Sequence, residues 1–545
     1  MAKGLKIVLP SAVSDPDGKL RKLEHYYGIE FVRGASNGGG ANGYYRLIGD
    51  DSLRAEMRFH NQIKLANVKD GAVQYLYNQL NLNLNSEGGA ATFNGADGSD
   101  VMQIHTKTVY AVIGGSNATY ERFIVSDAPF TYDGDAAIEF DPFGEAPDYL
   151  TVVDNKARSI YGSGVGTMGV SYGYDFNGMS YSGGTGFPRT YTSRYDFETF
   201  SRAKNTNSGS NLPYTIVYNG DIELATAFMF IECRTKVLTN VFGGGLSSDF
   251  APNAATFDTD NTTGFKFTST GGTETYLAFN STLYNVSGTT ASAATINVWQ
   301  MLTGGYYPVL HVLDAQNGIS NGIGTLAPIQ DADGNVIGGD TMTGVYHKTF
   351  TFKVKCALAS GAAASEYTVQ AKLCVPMWRG RSRMWGNIWQ WYAGYECSVS
   401  ATDATSAGTN YDIYRAKSAA GLVTDRVEAV AADGQFSFEN NSNYEKVGTA
   451  HYLNQGGWVT DMWSVNGVTT AIGKTIGAAA INNYESTYVY YGGPNSTDGA
   501  KARRGSIFGG SADNTYAVLR YAPLHNAPSY AHTSLGSAFR VTLIG

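Results

Sequence analysis

The sequence predicts an α+β fold built mainly from strands. Charged residues make up only 16% of the 545, against about 25% in an ordinary soluble protein, while Gly (66) and Tyr (37) are abundant. Apolar runs are short, alternate with polar residues and are broken by Gly, Asn and Asp, the pattern of strands joined by turns. Only two segments carry a convincing helical pattern. Single cores stop growing near roughly 250–300 residues, so two or three domains are expected.

Residues 1–145 read as a β-rich region. Ile29-Glu30-Phe31-Val32, Val73-Gln74-Tyr75-Leu76-Tyr77 and Thr108-Val109-Tyr110-Ala111-Val112-Ile113 are its strand runs, with loops at 34–43 and 86–98. Residues 146–240 hold both helices. Ser193 is suited to the N-cap of the first, with Asp196 three residues on as in a capping box, and Phe197 and Phe200 on one face; this helix is expected to end near Lys204. The second is expected to begin near Asp221, with Ile222, Ala225, Met229 and Cys233 as an apolar stripe. Residues 241–375 return to strands. In Thr349–Lys355, strict alternation sets Phe350, Phe352 and Val354 opposite Lys353 and Lys355. Residues 376–545 open with a dense aromatic block holding Trp378, Trp385, Trp389 and Trp391, and close with the strand Phe539–Ile544.

Composition narrows the function. The net charge is −8, and the basic runs are short, as in Arg379-Gly380-Arg381-Ser382-Arg383. A nucleic-acid binder needs a broad basic surface, so that class is not expected. Cys233, Cys356, Cys374 and Cys397 show no CxxC spacing and read as buried thiols of a protein made in a reducing cytoplasm. No stretch reaches the ~18 apolar residues of a membrane-spanning helix, and the start lacks a signal-peptide pattern, so no membrane insertion is expected.

The block Trp385-Gly386-Asn387-Ile388-Trp389-Gln390-Trp391 resembles the Gly-Asn-Val-Trp-Glu-Trp signature of the formylglycine-generating-enzyme family. Arg503-Arg504-Gly505-Ser506, followed by Leu535-Gly536-Ser537-Ala538-Phe539-Arg540-Val541, resembles that family's Arg-Gly-Gly-Ser and Gly-Phe-Arg ending, and the helix pair around Leu212-Pro213 falls in the family's order. The resemblance implies an elaborated C-type-lectin-like domain over residues 146–240 and 376–545, interrupted by a β-rich insertion at 241–375. Phages use this fold in receptor-binding proteins, some diversified by retroelements. The layout, with Tyr26-Tyr27-Gly28-Ile29-Glu30 and Asp97-Gly98-Ser99-Asp100-Val101-Met102 as recurring phrases, is similar to virion proteins of phages infecting gut Bacteroidetes. The family's enzymes hold copper and attack substrate through cysteines of the C-terminal block. Here no cysteine follows Cys397, so that chemistry is not expected. The resemblance also implies that Arg503 and Arg540 brace the C-terminal strands, and that the Trp385–Trp391 block is core. Spacing alone would put Trp385 and Trp389 on one face of a helical turn.

The candidate ligand-binding segment is 507–534. It offers Phe508, Asp513, Asn514, Tyr516, Arg520, Tyr521, His525, Asn526, Tyr530 and His532 among Gly, Ser and Ala, the composition of an antibody-like binding surface. The same residue types are what mutagenesis of adenine-rich codons would leave. Catalytic readings are weaker. Asp141-Pro142-Phe143-Gly144-Glu145 and Asp258-Thr259-Asp260 could supply paired carboxylates, yet acidic residues in turns more often form the turn. Asp331-Ala332-Asp333-Gly334-Asn335 departs from a calcium loop at Val336 and Met342. No cofactor is expected, with calcium left open by the lectin-like resemblance. The expectation is a non-enzymatic fibre or decoration protein of a phage virion, made in the bacterial cytoplasm. Residues 1–145 would attach it to other virion proteins or pack a homotrimer, and the C-terminal domain would bind a host-surface glycan or protein. A purely structural capsid or tail component is the alternative, and a glycan-degrading or divergent oxidase enzyme a third reading.

Overall fold

A computed structural model describes residues 25–32, 45–79, 81–92, 95, 97–148, 150–153, 156–159, 192–205, 214–244, 325–338, 341–356, 365–386, 389–399, 410–419, 422, 442–451, 503–510, 520–523, 526, 529–531 and 535–544, together with the strands 264–269, 274–278, 282–283, 294–295, 311–313, 455–459, 463–465, 468–470, 475–476 and 487–491. The class expected from the sequence holds: the described chain is mainly β, in open sheets with few helices. Among the described residues no helix is long and apolar enough to cross a membrane.

Strands β1 (Tyr26–Val32), β2 (Tyr45–Gly49), β3 (Ile63–Lys69), β4 (Ala72–Asn78), β5 (Asn81–Asn85), β6 (Asp100–His105), β7 (Val109–Gly114) and β8 (Tyr120–Ser126) arise from the alternating N-terminal runs. They divide between two sheets. The five-stranded sheet has the order Ile138–Phe140, β7, β8, β1, β2. The seven-stranded sheet has the order Tyr214–Ile216, Phe539–Thr542, Phe143–Glu145, β6, β3, β4, β5. Hydrogen-bonded pairing thus crosses the boundary expected at residue 145: Phe143 faces Thr542 on one side and His105 on the other.

The helices are α1 (Asp51–Ala55), α2 (Arg194–Asn205), α3 (Asn219–Cys233) and α4 (Thr239–Phe242), the first and last being short turns that the sequence reading did not single out. The predicted Ser193 N-cap forms at α2. Ser193 Oγ accepts from the Asp196 backbone N–H at 3.2 Å and donates to Asp196 Oδ2 at 2.7 Å. Phe197 and Phe200 meet edge to face at 6.1 Å, as their spacing requires. Helix α3 begins at Asn219, two residues before the expected Asp221, and its one-sided stripe is a correction: all 15 residues are buried. It is enclosed by the two sheets. Phe230 meets Phe31 and Phe123 of the five-stranded sheet, while Phe228 meets His105 of β6 and Trp378. A second core lies on the other side of the seven-stranded sheet, where Met102, Ile104 and Val541 pack with Phe197, Trp391 and Ile507.

The alternation read in residues 349–355 becomes part of a 13-residue strand, Gly344–Cys356, paired along its length with Ser365–Met377. In register, Phe352 faces Val369 and Val354 faces Tyr367, whereas Lys353 faces Thr368 and Lys355 faces Glu366. The base of this ladder joins the main core through Val345 and Trp378, so it spans the border expected at 375/376. Trp385 and Trp391 are core, as the resemblance implied. Trp389, however, opens the strand Trp389–Val399, so the helical turn suggested by its spacing is corrected to a strand entry.

Candidate functional site

The candidate segment begins inside the protein. The strand Arg503–Phe508 pairs with Trp389–Val399, setting Phe508 against Gln390 and Ile507 against Trp391. Phe508 is 2% exposed, and its ring meets Tyr392 edge to face at 5.2 Å. As a proposed ligand contact it is therefore corrected: it anchors the segment. Gly505 N–H donates to the Asn526 carbonyl at 3.0 Å, which ties the far part of the segment back to this strand. Asn526 is half-buried there, while Tyr530 is 45% exposed. Burial pushes the Tyr530 phenol upward. Asp513, Asn514, Tyr516, His525 and His532 lie outside the described residues.

Arg520 and Tyr521 lie on the strand Arg520–Pro523, which runs parallel to Thr487–Tyr491 at one edge of a four-stranded sheet. The register of that sheet brings distant aromatic residues together. Tyr521 stands beside Tyr488, Tyr488 beside Trp458, and Trp458 beside Ile476. In this register Trp458, Tyr488 and Tyr521 occupy adjacent positions on three neighbouring strands. The sequence reading missed Trp458 and Tyr488. The alternation in Thr487-Tyr488-Val489-Tyr490-Tyr491 was their available signal.

Of the acidic candidates, Glu145 is committed elsewhere. Glu145 is buried and holds two arginines, Arg381 and Arg383, the second at 2.8 Å. The run Arg379-Gly380-Arg381-Ser382-Arg383 is correspondingly interior. Arg379 donates to Glu232 at 2.9 Å and to the His60 carbonyl at 2.9 Å, and Arg381 donates to Gln103 at 3.2 Å. Burial would raise the Glu232 carboxyl, but Arg379 and the Trp378 indole N–H, at 2.7 Å, hold it below the usual range. Arg540 donates to Asp221 at 2.8 Å, the bracing role implied for it; the Arg503 side chain is outside the description. Asp331 accepts from the Asp333 and Asn335 backbone N–H groups at 3.0 and 2.8 Å, a turn closed over Arg234, which lies 3.2 Å from Asp331 and also pairs with Asp333. A guanidinium fills the place a calcium ion would need. Among the described residues no group of three or more His, Cys, Asp and Glu could hold a metal. Asp258 and Asp260 are outside the described residues.

No family model matches the sequence, and no curated protein matches it. The functional reading therefore rests on the residues themselves.

Proposed function

We propose that this chain is a virion surface protein of a phage and binds a host-surface glycan through its C-terminal region without chemical turnover. The register that sets Trp458, Tyr488 and Tyr521 at adjacent positions of three strands is the observation that carries this reading, because the candidate segment supplies the edge strand. Aromatic residues suit the apolar faces of sugars, and hydroxyl- and amide-bearing residues suit their polar edges. The open Tyr530 ring adds a further contact at the end of the segment. Phage origin and attachment to other virion proteins come from the resemblance of the overall layout and of the Tyr26–Glu30 and Asp97–Met102 phrases, the lectin-like domain from the Trp385–Trp391 and Arg503–Ser506 phrases, and trimeric assembly from analogy with phage fibres; all are part of the same proposal.

The test is binding of the purified chain to polysaccharides extracted from gut Bacteroidetes, with the wild type set against Trp458→Ala, Tyr521→Ala and Tyr530→Ala. Loss of a central aromatic contact is expected to weaken affinity by roughly 30-fold, the equivalent of about 2 kcal/mol. Equal binding by all four proteins would remove these residues from the site. Shortened polysaccharide after incubation would replace the adhesin by an enzyme.

A further inference from the structure

A lysine and an aspartate are enclosed together where α2 meets β6. Lys204, in the last turn of α2, places its ammonium against Oδ2 of Asp100, the first residue of β6; their side chains are 10% and 1% exposed. Two rings cover the ammonium, with Nζ 4.8 Å from the centre of Tyr214 and 4.9 Å from that of Phe539. The Tyr214 hydroxyl donates to the same carboxylate oxygen at 3.2 Å. The side chain of Asn205, next to Lys204, holds Tyr214 beside the end of α2: its amide donates to the Tyr214 carbonyl and accepts from the Tyr214 N–H, each at 2.9 Å.

We propose that Lys204 and Asp100 join in an intramolecular isopeptide bond. A proton passes from Nζ to Oδ2, giving a neutral amine beside a neutral acid. The amine lone pair attacks Cγ, forming the Nζ–Cγ bond. The Cγ–Oδ2 bond then breaks, and Oδ2 leaves as water carrying two protons that began on Nζ. The Tyr214 hydroxyl relays the second proton and returns to its starting state. One ammonium and one carboxylate thus give one amide and one water, with no oxidant or co-reactant. The surroundings favour each stage. The rings exclude the water that would reverse the reaction, and the fixed approach replaces a bimolecular encounter. The product ties α2 to the seven-stranded sheet by a covalent bond.

The deciding measurement is the denatured intact mass of the full chain, with peptide mapping. The wild type is expected to be lighter by one water, and trypsin should release a branched peptide joining Asp100 to Lys204. Lys204→Arg and Asp100→Ala should each show the full sequence mass. Tyr214→Phe, which keeps the ring, should leave a mixture of linked and unlinked chains. The mass is read after denaturation, so the wild-type result does not depend on how well any variant folds. A wild type at full sequence mass overturns the proposal. So does a lost water that maps elsewhere, for instance to the buried pair Lys236 and Glu121, 2.7 Å apart.

Discussion

Replacing His105 by Leu should make the protein less sensitive to acid. His105 is buried on β6, its ring stacked on Phe143 at 4.4 Å, and neither ring nitrogen meets a hydrogen-bonding group of the protein. Burial, reinforced by the positive charges of Arg381, His60, Arg379 and Arg540, pulls its pKa from 6.5 down to about 3. A histidine with a lowered folded pKa gives its full stability above pH 6.5. Below that, the unfolded chain takes up a proton that the folded chain refuses, and stability falls until the folded pKa is reached. From pH 6.5 to pH 5 the loss is about 1.4 kcal/mol per pH unit, or about 2 kcal/mol from this residue. Urea unfolding followed by fluorescence of the core residues Trp378 and Trp385, at pH 8 and at pH 5, measures the change in each protein. The wild type should lose about 2 kcal/mol more between the two pH values than His105→Leu does. Because only that difference is read, any packing effect of the substitution cancels. Identical losses would refute the assignment of a neutral, buried histidine.

Two further substitutions probe the frame around α3. Glu145→Gln removes the charge shared by Arg381 and Arg383 and should lower stability by about 3–5 kcal/mol, read as a lower urea midpoint; adding Arg381→Met should recover part of the loss, since one orphaned charge goes with it. Gly28→Ala would set a methyl group 2.2 Å from the Phe123 carbonyl oxygen, between strands paired on both sides. It should cost about 3 kcal/mol and reduce soluble yield, while a normal melting curve would show that the sheet can open there.

Local signals were legible in the sequence, and long-range pairings were not. Ser193 and Asp196 announced the start of α2 because a cap is settled within three residues. The alternation of Phe350, Phe352 and Val354 announced its strand for the same reason. Helix α3 was expected to bury the stripe Ile222, Ala225, Met229 and Cys233, yet Asp221, Glu223 and Glu232 are buried as well. Each is answered by an arginine far along the chain: Arg540, Arg415 and Arg379. Nothing in the spacing of one segment reports a charge supplied by another. The Arg379–Arg383 run gave no local sign of its burial for the same reason. In the candidate site, Tyr521 was legible by composition. Its neighbours Tyr488 and Trp458 were not, since register between strands is set by the whole sheet.

The place of strand Phe539–Thr542 sets a condition on how the protein can be made. It lies inside the seven-stranded sheet, between Phe143–Glu145 and Tyr214–Ile216, and joins residue 143 to residue 542. During synthesis the N-terminal strands emerge long before their inner neighbour exists. Until residue 542 leaves the ribosome, the edge at Phe143–Glu145 stays open to any other nascent strand. Closing a contact of that sequence separation is slow. Production in a crowded cell therefore favours a low concentration of nascent chains, or a holding chaperone, over a strong promoter.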